Sequence, residues 1–351
     1  MKKLITLLLV VAMMASMIAC SAQPAVNEAP AEGTEPAENV EPAEKGPKDY
    51  AGSQLLLGSS SAGGTYYVLG AGWVTLMNDL LGTHATCEVT AGPASNIPEI
   101  EVGNIDFGMV TSWLAGEGYT GTGWAQENGH GPYLENEAMF PTHCSYLYIF
   151  TLADSDINSL SDLAGRPICM GTAGSTSDNA GRGVIKTLGI EPKSISLLAS
   201  TDQVNALKDG TVDAVFAVTG SPAPWLLDLQ TTHDFKFIPY TEEEFAKLFE
   251  AFPFWSTDVI PGGTYTCVAD DYETISFWNY IVADKDLSEE MIYDMTKATF
   301  ENSDYLLNVD VSAAGITLDN LNKITTPLHP GAYKYYTEIG VEVPDAIKPV
   351  E

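Results

Sequence analysis

The stretch GSSSAGGTYY, residues 58–67, sets Gly58, Gly63 and Thr65 at the spacing of the phosphate loop G-x-x-x-x-G-K-[ST], with Gly64 where that loop carries its lysine. A loop without the lysine lacks the cation that reaches the outer phosphates, and no Walker-B-like partner is evident. The gap is regional, because no Lys or Arg occurs between Lys48 and Arg166. Such a region holds an anion only through backbone amides and hydroxyls, which is weak support for a polyphosphate and adequate for one carboxylate. A second loop of small residues, GTAGSTSDNA, covers residues 171–180. Each loop follows an apolar run and opens an amphipathic one, so each is expected at a strand-to-helix turn with unpartnered helix N–H groups facing outward. Gly63 and Gly64 permit close backbone approach, and Thr65, Ser175, Thr176 and Ser177 add hydroxyl donors. Either loop alone also reads as an ordinary helix cap, where Ser and Thr are favoured; the pairing points to a ligand.

Around these loops stand weaker candidates. Arg182 lies in the helix after the second loop, where it could meet an anion, although Asp178 precedes it by the four residues of a surface ion pair. Tyr66, Tyr67, Trp113, Trp225 and Trp255 are possible lids or stacking faces, with Tyr67 and Trp113, the latter in the turn Ser112-Trp113, favoured beside the cleft loops, while most aromatics belong to cores. Catalytic patterns are thin. There is no G-x-S-x-G elbow and no histidine near the serine-rich loops. The cysteines have no C-x-x-C spacing, and the five histidines lack the i, i+4 spacing of a helical metal site. The expectation is a binding protein rather than an enzyme, with no cofactor and no metal.

The elements that must position these loops follow from periodicity. From residue 50 the pattern reads strand (QLLLGSS), helix (TYYVLGAGWVTLMNDLLG), strand (HATCEVTA), helix (ASNIPEIEVGN) and strand (IDFGMVTS). A looser stretch, GEGYTGTGWAQENGHGPYLENEAMFPTH, is expected to run over the surface. After YLYIFTLADS the rhythm restarts through RPICMG, the second loop and its helix, KSISLLA, STDQVNALKDG and TVDAVFAVTG. Gly103 and Asp106 answer Gly210 and Asp213 at the same point of each half. A repeated α/β lobe is the economical explanation, with convergence on common turn chemistry as the alternative. FWNYIVA reads as a return strand, followed by one long helix, SEEMIYDMTKATFENSDYLLN, and a last one, PGAYKYYTEIG, both expected on the first lobe. The expected fold is therefore α/β, two doubly wound, mostly parallel lobes joined by two crossing segments that act as a hinge. The lobes are residues 50–148 with 279–351, and residues 149–278. In open α/β sheets the ligand lies beyond the carboxyl ends of the strands, where both loops fall.

The N-terminus carries a targeting signal: Lys2, Lys3, the apolar run LITLLLVVAMMASMIA and then Cys20. The run is short for a membrane span and reads as a signal peptide over residues 1–20. MIAC resembles the bacterial lipobox, with Cys20 as the lipidated residue and Met17 where leucine is commonest; a plain secretory signal or an uncleaved anchor is the alternative. Residues 21–49, rich in Pro, Ala and Glu, read as an extended acidic tether. With 351 residues, 45% of them hydrophobic, the chain can bury a large core, and a net charge of −31 argues against nucleic acid or anionic lipid headgroups as partners of the folded body.

Six stretches, GSSSAGGTYYVLGAGW, EIEVGNIDFGMV, the run from LYIFTLADSDINSLSDLAG through RPICMGTAGSTSDNAGRGVI, ALKDGTVDAVFAVTGSPAP, IPGGTY and LHPGAYKYYTEIG, together resemble the TAXI-type solute receptors of tripartite ATP-independent periplasmic (TRAP) transporters. The resemblance spans residues 54–340. It implies a two-lobed, type II periplasmic-binding-protein fold and a monomeric receptor, lipid-anchored outside the cell membrane, that delivers a small carboxylate or amino acid, such as glutamate, glutamine or 2-oxoglutarate, to a TRAP permease. It also implies a cleft lined by Thr65, Tyr66, Tyr67, Gly174, Ser175, Ser177 and the turn Thr219, Gly220 and Ser221. Trp113 stands after Ser112 where an acidic residue is often found in this family, and Asp178 where other members carry a different polar or basic residue.

Overall fold

The computed structural model describes residues 50–127 and 129–350. The signal segment, the lipidation of Cys20 and the acidic tether lie outside the described residues.

The first βαβ series is β1 (Gln54–Gly58), α1 (Thr65–Leu81), β2 (His84–Glu88), α2 (Pro93–Glu101) and β3 (Phe107–Thr111). Helix α1 forms because Leu69, Trp73 and Met77, at four-residue spacing, bury one face, and Gly82 ends it in the left-handed conformation. After α3 (Ser112–Thr120) and α4 (Gly123–Glu127) the chain enters a 17-residue strand, β4 (Asn136–Leu152). The second series repeats the first: β5 (Pro167–Met170), α5 (Thr176–Leu188), β6 (Ser194–Leu197), α6 (Ser200–Lys208) and β7 (Ala214–Thr219). There follow α7 (Pro224–Leu229), β8 (Phe235–Phe237), α8 (Glu242–Ala251), β9 (Ser256–Ile260) and the 13-residue β10 (Tyr272–Asp284), then α9 (Glu289–Glu301), α10 (Ser303–Val309) and α11 (Pro330–Glu338).

One sheet carries the order β2-β1-β3-β10-β4-β7-β5-β6. β2, β1 and β3 are parallel, as are β6, β5 and β7, so each half has the same doubly wound order. The crossing strands β10 and β4 run antiparallel to each other and to their neighbours β3 and β7. This is the expected two-lobed, type II periplasmic-binding-protein architecture, two parallel triplets joined through two long strands. The repeat extends to hydrogen bonds: Asp106 N–H donates to the Leu56 carbonyl at 3.0 Å, and Asp213 N–H to the Pro167 carbonyl at 2.7 Å. Positions 148 and 279, the lobe boundaries read from sequence, fall inside β4 and β10.

Two expectations are corrected. The stretch from Gly116 to His143 does not run loosely over the surface. It contains the end of α3, all of α4 and the first half of β4, with Met139 and Phe140 buried. Trp124 anchors it, donating its indole N–H to the Leu114 carbonyl at 2.8 Å and stacking on Tyr133. Pro141 hid the strand; it sits where the register with β10 shifts, between Trp278 and Tyr280, a bulge that tolerates a missing N–H. The long helix is two, broken at Asn302. These helices do pack on the first half, with the Trp73 indole N–H donating to the Thr299 hydroxyl at 2.9 Å.

The four cysteines among the described residues are free thiols, and burial pushes Cys144 and Cys169 up to about 12, which favours the protonated thiol near pH 7. No helix among the described residues is long and apolar enough to cross a membrane.

Candidate functional site

Both small-residue loops adopt one backbone. Gly63 (φ 79°) and Gly174 (φ 81°) occupy the left-handed region that excludes most side chains. One residue later, Gly64 N–H donates to the Ser61 carbonyl at 3.2 Å, and Ser175 N–H to the Thr172 carbonyl at 3.0 Å. Gly64 (φ −81°, ψ 159°) and Ser175 (φ −68°, ψ 160°) then serve as the N-caps of α1 and α5. The amides of Thr65 and Tyr66 on one side, and of Thr176 and Ser177 on the other, have no partner within their helices.

The loops face each other across a cavity that holds the centres of water-sized molecules over about 50 Å³. It is walled by Ser60, Ser61, Gly64, Thr65 and Tyr66 from the first loop, and by Gly171, Thr172, Ser175, Thr176 and Ser177 from the second. A third helix start, read from the sequence as a helix but not singled out for the site, joins them: Ser200 and Gln203 in the first turn of α6, with Leu198 before it. His143 and Ser145 from β4, Asn279 from β10, and Val218 and Thr219 from β7 complete the wall. Three helix N-termini therefore converge on one space, and no Asp, Glu, Lys or Arg lines it among the described residues.

The hydroxyls keep their donors available. Ser175 Oγ accepts from the Asp178 amide at 3.2 Å and Ser177 Oγ from the Val218 amide at 2.8 Å. A serine hydroxyl has one proton to give, and accepting leaves it unused. The two halves also touch around the cavity, through the Thr65 and Thr219 hydroxyls at 3.1 Å, the Thr172 hydroxyl on the Ala91 carbonyl at 3.2 Å, and the Ala94 amide on the Gly174 carbonyl at 3.3 Å.

Asn279 organises the floor. Its amide nitrogen donates to the His143 carbonyl and the Ser145 hydroxyl, both at 2.8 Å, and its oxygen accepts from the Tyr66 hydroxyl at 2.5 Å. The Tyr66 and His143 rings meet in a T-shaped arrangement, with centroids 5.7 Å apart. His143 is 1% exposed, and burial drives its imidazole down to about 4, so it is neutral near pH 7. Its Nδ1 meets the Thr142 hydroxyl at 3.1 Å; its Nε2 has no partner among the described residues.

The sequence profile of the NMT1-like family matches residues 57–340, which include both loops, all three helix starts and both crossing strands. The chain belongs to the NMT1-like family. Among solved structures it is similar to the arginine-, lysine-, histidine-binding protein ArtJ of Geobacillus stearothermophilus, at 12% identity over 75% of this chain and 96% of that one, with a TM-score of 0.47. It is also similar to a putative L-cystine ABC transporter protein of Listeria monocytogenes, at 14% identity over 75% and 96%, with a TM-score of 0.45. A third is a TctC solute binding protein from Polaromonas, at 16% identity over 74% and 88%, with a TM-score of 0.43.

In this NMT1-like chain, seven of the residues singled out from sequence meet at the cavity: Gly64, Thr65, Tyr66, Ser175, Thr176, Ser177 and Thr219. The others stand outside its wall. Tyr67 lies two residues along α1 from Thr65, and about 100° of helical rotation per residue carries it away from the cleft. Gly174 shapes the loop and bridges to Ala94. Gly220 packs behind Thr65, whose Oγ1 would stand 3.1 Å from an added Cβ, and its carbonyl accepts from the Tyr148 hydroxyl at 3.2 Å; Ser221 follows it in the same turn. Trp113 is buried among Phe252, Trp255 and Phe277, and Ser112 borders a separate surface hollow with Asp258, Trp278 and Lys323. Arg182 is half exposed and pairs with Asp178 at 2.6 Å, the ion pair that the spacing allowed.

His143, Ser145 and Asn279 were missed because the crossing strands read only as connections. Ser200 and Gln203 were legible in principle: ASTDQ follows a strand and opens a helix with hydroxyl residues, as the other two loops do.

Proposed function

We propose that this NMT1-like protein is an extracytoplasmic solute receptor of the TAXI type. It captures a small carboxylate or amino acid in the cavity between its halves and delivers it to a TRAP permease. The observation that carries the reading is the convergence of three helix N-termini and their hydroxyls on a cavity that no charged side chain lines among the described residues, the environment that receives a small carboxylate through dipoles. The motif resemblance over residues 54–340 supports the receptor type. The lipobox-like MIAC supports attachment through Cys20 to the outer face of the cell membrane, with residues 21–49 as tether.

Capture works by bridging. Thr65, Tyr66 and the floor of β4 and β10 hold the ligand from the first lobe, residues 50–148 with 279–351, and Ser175, Thr176, Ser177, Ser200 and Thr219 from the second. A ligand held by both lobes stabilises the closed arrangement over an open one, with β4 and β10 as the hinge, and the permease reads the closed form. Calorimetry of the purified protein against a panel of small carboxylates and amino acids tests this reading. One-to-one saturable binding of at least one member is expected, and heat-silent titrations across the panel would overturn it.

A further inference from the structure

The cavity wall does more than accept a carboxylate. An amino acid also brings an ammonium group, which in a dry cleft requires an opposite charge or a full set of acceptors. No carboxylate side chain lines this cavity among the described residues. Asp178, the acidic residue in the first turn of α5, has both oxygens engaged, one on the Gly174 amide at 3.1 Å and the other on Arg182 Nε at 2.6 Å. The three helix N-termini add positive potential, which further disfavours a cation.

Two buried polar groups in the wall stand without partners. Among the described residues His143 Nε2 and Gln203 Oε1 have none, and each residue is 1% exposed. They come from opposite halves, His143 on β4 beside the first loop and Gln203 on the first turn of α6. Buried polar atoms of this kind cost stability unless something satisfies them, and both border the cavity. An imidazole nitrogen and a carboxamide together match an uncharged oxygen function. The imidazole donates or accepts according to tautomer, and the carboxamide presents both a donor and an acceptor.

We infer that the cavity selects small carboxylates bearing a hydroxyl or keto oxygen and no ammonium, and that His143 and Gln203 are the residues that determine this choice. The inference rests on the receptor reading above and narrows it to one of its two ligand classes. The carboxylate sits at the N-termini of α1 and α5, and the second oxygen function reaches His143 and Gln203.

The test is calorimetry of the purified protein with two matched sets, 2-oxoglutarate, 2-hydroxyglutarate and glutamate, then pyruvate, lactate and alanine. In the set that binds, the oxo or hydroxy acid is expected to bind at least tenfold more tightly than the amino acid of the same skeleton. Gln203→Glu, which puts a carboxylate in the wall, is expected to weaken the acid at least tenfold and to shift the ratio toward the amino acid; His143→Asn is expected to shrink the ratio by weakening the acid alone. Circular dichroism melts confirm that each variant is folded before titration. An amino acid that binds as tightly as its oxo acid overturns the inference while leaving the receptor reading intact. So does an unchanged ratio in both folded variants. If neither set nor any other small carboxylate or amino acid binds, the receptor reading falls and this inference with it.

Discussion

The loops 61–65 and 172–176 have nearly the same backbone and different chemistry. Both place a glycine in the left-handed region and then an extended cap, but the cap is Gly64 before α1 and Ser175 before α5. The first turn of α1 contains no acidic residue, whereas that of α5 contains Asp178, bound to Arg182 and to the Gly174 amide. A carboxylate in the first turn offsets part of the helix dipole, so α5 is the better-stabilised helix start and α1 the better anion receiver. We propose a division of work in which the first loop supplies more of the attraction for the carboxylate through its unpartnered amides, while the second, fixed by its cap and ion pair, holds the same group from a more rigid position.

Putting an acid at the first loop breaks that asymmetry most severely. Gly64→Asp gives the start of α1 a carboxylate, as Asp178 gives that of α5 one, and φ −81° admits any residue, although the Ser61 carbonyl, 3.3 Å from an added Cβ, would have to give slightly. A carboxylate about 4 Å from the bound one costs roughly 4 kcal/mol at an effective dielectric of 20, so calorimetry should show binding weakened at least a hundredfold. The melting temperature should hold or rise, since aspartate is a good N-cap. Retained affinity would mean that the first loop does not receive the anion.

Acid titration asks whether the wall between the loops is truly uncharged. The folded His143 value of about 4 lies below the 6.5 of an exposed histidine, with Asp310 as the charged neighbour opposing the shift. The neutral ring's contribution to stability is thus complete above pH 6.5 and is lost as pH falls toward 4, to a total of about 3 kcal/mol. Glu137, pushed up to about 7 by burial, acts the other way and loses its contribution as pH rises from 4.5 through 7. Denaturant unfolding across pH 4 to 7 should show the acid-side loss in the parent and not in folded His143→Asn. Equal slopes in both proteins would place an ionised histidine in the wall.

The smallest effect sharpens the comparison from the other side. Ser175→Gly gives the second loop the first loop's cap and should cost a few tenths of a kcal/mol in stability. Loss of its spare O–H donor should weaken ligand binding by about 1 kcal/mol, seen as a several-fold change in Kd. Unchanged affinity would restrict the second loop to its structural role.

Much of this architecture was legible in the sequence because it depends on local signals. Apolar runs ending in Gly-Ser-Thr loops gave both βαβ series, and Gly103, Asp106, Gly210 and Asp213 marked equivalent turns of the two halves. What stayed hidden depends on long-range packing. The strand through Pro141 needed its bulge against β10 to be recognised, and His143 and Asn279 enter the site only because two crossing strands meet beneath the loops. Trp113 shows the converse: a residue beside a cleft loop in sequence turned into a core by Phe252, Trp255 and Phe277 from the other half. Arg182 is similar, placed near the second loop by sequence and turned outward onto Asp178 by the helix.

The central claim is that one carboxylate is held by amides from both halves at once. Amide chemical shifts measured by nuclear magnetic resonance, as the tightest-binding acid of the matched sets is titrated in, test it directly. The account predicts downfield shifts of the Thr65 and Tyr66 amide protons together with those of Thr176 and Ser177, saturating at one equivalent. Saturable binding with shifts confined to one loop, or to neither, would contradict it.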